Sequence, residues 1–132
     1  MKTFTKSPEI DSQDRYRIVG DILIHYARFR RQIFLRGRAI EISSGWIFDR
    51  VRKEIQSLLA KEGSVELNIS LSQANVVGVK YLVNVFACMN KLFQKGYQIT
   101  VNWQLNETDP DGRKLAADLQ EVCLFDFHIM TS

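Results

Sequence analysis

The sequence is poor in the residues that staple, break or ligate. It holds two cysteines, two prolines and two histidines in 132 residues. Cys88 and Cys123 form no CxxC pair and sit among apolar neighbours, in VFACMNKL and EVCLFDF. They read as buried, reduced thiols and not as a disulfide framework. Neither His25 nor His128 has a second ligand three or four residues after it, so a zinc site would have to be assembled from scattered residues, and no metal or cofactor is expected. GxSxG, GxxxxGKS, GxxxxGKT and GxGxxG are all missing, which removes the nucleophile elbow and the phosphate-cradling loops. With no acid, base and nucleophile to bring together, an enzyme is not expected. The opening MKTFTKSPEIDSQDR lacks the apolar centre of a signal peptide, and no apolar run approaches the roughly 18 residues of a membrane span. A cytoplasmic protein with no membrane partner is the expectation.

What is there points to one folded domain. An apolar fraction of 45% beside 25% charged residues is globular composition, and the length suffices for one core without staples. The net charge of +3 is unevenly spread: residues 1–60 carry twelve basic against seven acidic side chains, residues 61–132 six against eight. Much of the excess lies in RFRRQIFLRGR, where Arg28, Arg30, Arg31, Arg36 and Arg38 interleave with Phe29 and Phe34. Such a segment can bind nucleic acid or another polyanion. A solvated hairpin with outward arginines explains it more simply, so nucleic acid is not expected as a partner.

Hydrophobic period sets the architecture. In SVELNISL, Val65, Leu67, Ile69 and Leu71 alternate with polar residues, the mark of a half-buried strand. YQITVNW repeats the device with Tyr97, Ile99, Val101 and Trp103, and FDFHI with Phe125, Phe127 and Ile129. Between them the period changes. Val79, Leu82, Val83, Phe86, Met89, Leu92 and Phe93 follow helical spacing up to Lys95-Gly96. An earlier helix places Ile47, Val51, Ile55, Leu58 and Leu59 on one face, with Ser43 or Ser44 to cap it and Gly63 to end it. A third, in PDGRKLAADLQEV, turns Leu115, Leu119 and Val122 inward, with Asp109 as cap and Pro110 at its first position. That turn also accounts for the acidic NETDPDG better than a calcium loop does, because the remaining oxygen ligands are missing.

Strands buried on both faces read as continuous apolar runs, whereas these each keep a polar face. The expectation is therefore an α/β fold of two layers, a sheet with its helices on one face and right-handed crossovers between parallel strands. The segment RYRIVGDILIHYARF suits a helix through Ile18, Val19, Ile22, Leu23 and Tyr26, or strands through Ile22, Ile24 and Tyr26. A β-hairpin over residues 21–37 with its turn near RFRR is the reading adopted, with Ile33 and Leu35 on one side. Residues 1–20 are taken as an N-terminal arm or extra strand and residues 21–132 as the domain. Trp46 and Trp103 are placed in the core, though either could anchor an interface.

One junction stands out. LSQANVVGVK takes a strand directly into a helix N-terminus, where free backbone N–H groups and the positive dipole end favour an anion or a phosphorylated hydroxyl. Asn75 can cap the helix there, and Gly78 lets another surface approach its first turn.

Four segments together resemble the SiaC-type regulatory phosphoproteins, bacterial domains similar in fold to STAS (anti-sigma-factor-antagonist) domains. They are FLRGRAIEISSGWIF, ELNISLSQANVVGVKYL, GYQITVNW and CLFDFHI, in the family's order over residues 32–130. The resemblance implies a mixed sheet with helices mainly on one face. It also implies a non-enzymatic adaptor in cyclic-di-GMP signalling that binds a kinase, a phosphatase or a diguanylate cyclase and is switched by phosphorylation in an NTSS segment. A second copy of the chain is a further candidate partner. Asn75 falls on the family's Asn, Val76 on its phosphorylatable Thr, and Val77 and Gly78 on the serines that follow. Valine has the shape of threonine without the hydroxyl, so no phosphate can be placed at position 76. The protein is then locked in its binding form, has moved the switch to Ser70 or Ser72, or binds a different partner without modification. The expected partner-binding residues are Ser72, Gln73, Ala74, Asn75, Val76, Val77, Gly78 and Lys80. Ser72, at the strand end, is the better phosphorylation candidate and Ser70 the second.

Overall fold

The computed structural model describes residues 15–19, 22–38, 46–72, 76–105 and 110–131. Six strands form one sheet: β1 (Arg15–Val19), β2 (Ile22–Ala27), β3 (Gln32–Arg38), β4 (Ser64–Ser72), β5 (Gln98–Leu105) and β6 (Asp126–Thr131). Three helices lie between the later strands: α1 (Trp46–Glu62), α2 (Val76–Gln94) and α3 (Pro110–Val122). Spatial order equals chain order, β1-β2-β3-β4-β5-β6, with the first two pairings antiparallel and the remaining three parallel.

The ambiguous segment forms strands at Arg15–Val19 and Ile22–Ala27. Ile24 and Tyr26 pair in register with Leu35 and Ile33, and all four side chains are buried. Only a period of two can put these positions on one face. The turn falls at RFR, a 3-10 segment over Arg28–Arg30, followed by Arg31 at φ 56°. That left-handed residue turns its carbonyl to accept the Glu66 N–H at 2.9 Å, stitching the hairpin to β4. The Arg15–Val19 strand adds a sixth member at the edge.

The core follows the strand alternation. Val65, Leu67, Ile69, Ile99, Val101, Trp103 and Phe127 point to the helices, where Phe48, Val51, Ile55, Leu58 and Leu59 of α1 meet them in one continuous cluster. Trp103 is fully buried, stacked on Phe127 at 6.2 Å, with no partner for its Nε1 among the described residues. For Trp46, Ile47 and Leu71 the backbone alone is described, and the caps assigned to Ser43, Ser44, Asn75 and Asp109 lie outside the described residues. Two helix ends match the expected glycine stops. Gly63 (φ 79°) donates to the Leu59 carbonyl at 2.9 Å and Gly96 (φ 103°) to that of Phe93, also at 2.9 Å.

Three expectations need correction. On α2 the buried face is Leu82, Val85, Phe86 and Met89, while Val83 is 43% exposed. The face centred on Leu82 and Phe86 recurs at i+3 and i+4, and Val83 stands about 100° away from Leu82. On α3 Leu119 and Ala116 are buried and Leu115 is half-buried, but Val122 is 56% exposed. Val122 closes the helix with its carbonyl accepting from Asn90 Nδ2 at 2.9 Å, while Asn90 Oδ1 accepts the Leu124 N–H at 2.8 Å. The two thiols are free but half-buried, not fully buried.

Two measurements test this packing. Val85→Ala should cost about 2 kcal/mol and Val83→Ala no more than about 0.5 kcal/mol in denaturant unfolding at unchanged slope; the reverse order would place the sequence-derived face inward. Burial pushes the Cys123 thiol from 9.0 up to about 12. The unfolded chain therefore loses this proton first. The stability contributed by the neutral thiol is complete below pH 9 and is lost as pH rises from 9 towards 12. Near pH 9, alkylation of Cys123 in the folded protein should run at least about a hundredfold slower than in the denatured chain, read by mass spectrometry of the modified peptide.

Candidate functional site

Parallel strands leave two distinct places for binding. One is the edge at their C-terminal ends, where a strand hands over to a helix and backbone groups are left free. The other is whichever sheet face the helices do not cover.

At the first place, β4 ends at Ser72 and α2 begins at Val76. Ser72 stands opposite Arg38, the last residue of β3. Val76, Val77 and Gly78 form the first turn of α2, which contains no acidic residue. Its positive dipole end is thus not offset by a carboxylate of the same turn. Lys80, one turn on, is exposed. Gln73, Ala74 and Asn75 lie outside the described residues. The helix that starts here is tied into the core by Leu82, Val85 and Phe86 and stacks Tyr81 on Phe48 at 6.1 Å.

At the second place the strands present their polar alternates. The register lines up one residue from each of five strands: His25, Phe34, Asn68, Asn102 and His128. His25 stacks on Phe34 at 5.4 Å, and Asn102 Nδ2 donates to Asn68 Oδ1 at 3.0 Å. A second row, one step nearer the C-terminal edge, holds Arg36 beside Ser70 and Gln104 beside Met130. Between the two rows runs an open groove of ≈ 420 Å³. Sequence reasoning saw the polar alternation of each strand but not this groove. The rows become visible only once the register is known.

The sequence candidates divide accordingly. Ser70 is half-buried and lines the groove, whereas Ser72 belongs to the strand end. The arginines do not form one patch. Arg30 and Arg31 are exposed at the hairpin turn, Arg36 lies on the open face and Arg38 ends β3. Turn and strand end are separated by the length of β3, about 20 Å. The two histidines share a row but stand four strands apart, about 19 Å, too far to share a metal ion. Among the described residues no group of three His, Cys, Asp or Glu side chains could hold a metal, and no helix is long and apolar enough to cross a membrane.

Comparison with known proteins agrees with this architecture. SiaC of Pseudomonas aeruginosa superimposes with a TM-score of 0.80 at 19% identity, covering 91% of this chain and 99% of that one. A chain from the crystal structure of the diguanylate cyclase SiaD in complex with its activator SiaC, from the same organism, gives 0.80 at 19% identity over 90% of this chain and all of its own length. Apo-SiaC gives 0.77 at 20% identity over 89% and 98%. No curated protein matches the chain significantly. The family model for SiaC family regulatory phosphoproteins matches residues 23–132, and over that span, which takes in both candidate surfaces, the chain belongs to the SiaC family.

Proposed function

We propose that the chain is a non-enzymatic regulator that binds its protein partner through the β4–α2 junction, with Ser72 to Gly78 and Lys80 as the contact residues. The observation that carries this is the acid-free first turn of α2 at the C-terminal edge of the parallel strands. Residues 21–132 would serve as the binding domain, with residues 1–20 as an arm or extra strand, in the cytoplasm. A regulatory phosphoprotein family and a similar chain seen with the cyclase that SiaC activates support a signalling partner: a diguanylate cyclase, or the kinase or phosphatase that would act on the switch.

Val76 departs from the family's phosphorylatable threonine. Its γ-methyl groups replace the hydroxyl, so the helix start cannot acquire two negative charges at this residue. The chain is locked in its binding form, or has moved phosphate control to Ser72, with Ser70 as the second choice, or binds a different partner without modification. An apolar side chain at the same place favours a contact that persists in salt, unlike a polyanion complex on arginines.

Val76→Asp places a carboxylate in the first helical turn, where the dipole favours it by roughly 0.3–1 kcal/mol, so the variant should fold. Its affinity for the captured partner should fall at least about tenfold, the loss of about 1.4 kcal/mol, in titration calorimetry. Val76→Thr should become a kinase substrate by phosphopeptide mass spectrometry. Unchanged partner affinity of Val76→Asp would remove the junction from the interface. In cells, phosphate on Ser72 that disappears in Ser72→Ala would show that the switch has moved; an unmodified Ser72 would leave the locked form.

A further inference from the structure

The open-face groove has a chemistry of its own. Its polar lining residues are Arg36, Asn68, Ser70, Asn102 and Gln104, and no acid is among them. Arg36 is exposed and has no ion-pair partner among the described residues. The acids of the same face, Glu66 and Asp126, stand two rows away from Arg36, beyond the Asn68 row, and Glu66 already accepts a hydrogen bond from Gln32 Nε2 at 3.0 Å. A guanidinium with no nearby carboxylate, among neutral donors, favours an anion, and Arg is suited to phosphate in particular.

Two further features narrow the anion. Phe34 lines the groove and is stacked on His25 at 19° between ring planes, so a flat group lying in the groove would extend an existing stack. Stacking on an aromatic ring is open to every base, because each has a π-face. Asn68 Nδ2 is shut off from solvent with no partner, while its Oδ1 is held by Asn102. A buried donor left so is destabilising, and an acceptor brought by a ligand would satisfy it. Asn and Gln side chains pair two-fold with the edge of adenine, using one donor and one acceptor. A volume of ≈ 420 Å³ is that of a small-molecule site.

We infer that the open sheet face binds a purine mononucleotide: the phosphate on Arg36, the ring against Phe34 and the base edge on the Asn68, Asn102 and Gln104 amides. The groove is lined by none of the residues Ser72 to Lys80 proposed for the partner, and the two proposals are tested separately. Ser70, beside Arg36 in register, adds a hydroxyl donor near the phosphate position.

The test is an amide NMR titration of the full chain with AMP, adenosine and inorganic phosphate as separate probes. AMP should shift the amides of Phe34, Arg36, Asn68 and Asn102 with a dissociation constant of about 1 mM or tighter. Adenosine and phosphate should each bind at least about tenfold more weakly. Arg36→Ala, on an exposed side chain, should keep the fold and weaken AMP at least about tenfold, the loss of one charge-assisted hydrogen bond, while leaving adenosine unchanged. Phe34→Leu should weaken AMP and adenosine alike. No shift of groove amides at about 10 mM AMP, or an Arg36→Ala variant that binds AMP as before, would overturn the assignment. So would a short oligoadenylate that binds far more tightly than AMP with a steep salt dependence, which would make the face a single-strand track.

Discussion

The whole molecule depends on strands being added in one direction. From β3 to β6 each new parallel strand lies beyond the last, and a right-handed crossover repeated in the same direction returns every helix to the same side. Helices α1, α2 and α3 therefore share one layer and one apolar cluster. Among the described residues the opposite face has no helix to meet, so its residues have to be compatible with water. Glu66, Asn68 and Ser70 on β4, Thr100 and Asn102 on β5, and Asp126 and His128 on β6 satisfy that condition. Core and candidate sites are thus two results of a single topological rule.

Much of this could be read from the residues because two periods rarely imitate each other. Alternation in β4, β5 and β6 fixed both the strands and their inward faces, down to Ile99 and Val101. Glycine at a helix end marked the stops after α1 and α2, since a positive φ suits little else. Helix faces were read less well. A hydrophobic residue next to the true stripe, such as Val83, looks identical to one inside it, and Val85 is hidden by the same crowding. Val122 failed for another reason: it is the last residue of α3, one turn beyond the buried Ala116 and Leu119.

The sites divide in the same way. A strand running into a helix is visible in sequence, so the β4–α2 junction was legible as a place. A groove made by rows across five strands depends on register, which is set between segments as distant as Phe34 and Asn102. Residues that are unremarkable one at a time, such as Asn68 or Gln104, become a constellation only side by side. The arginines show the opposite case. Close in sequence, they are drawn out along an extended strand until they address different ends of the sheet.

The amide of Asn90 ties three elements together. It holds the end of α3 through Val122 and the lead into β6 through Leu124. Asn90 lies fourteen residues after Val76 on the same helix, about 21 Å along its axis. One helix, packed into the core along its length, thus reaches from the end of β4 to the lead into β6, at the sheet edge away from the hairpin.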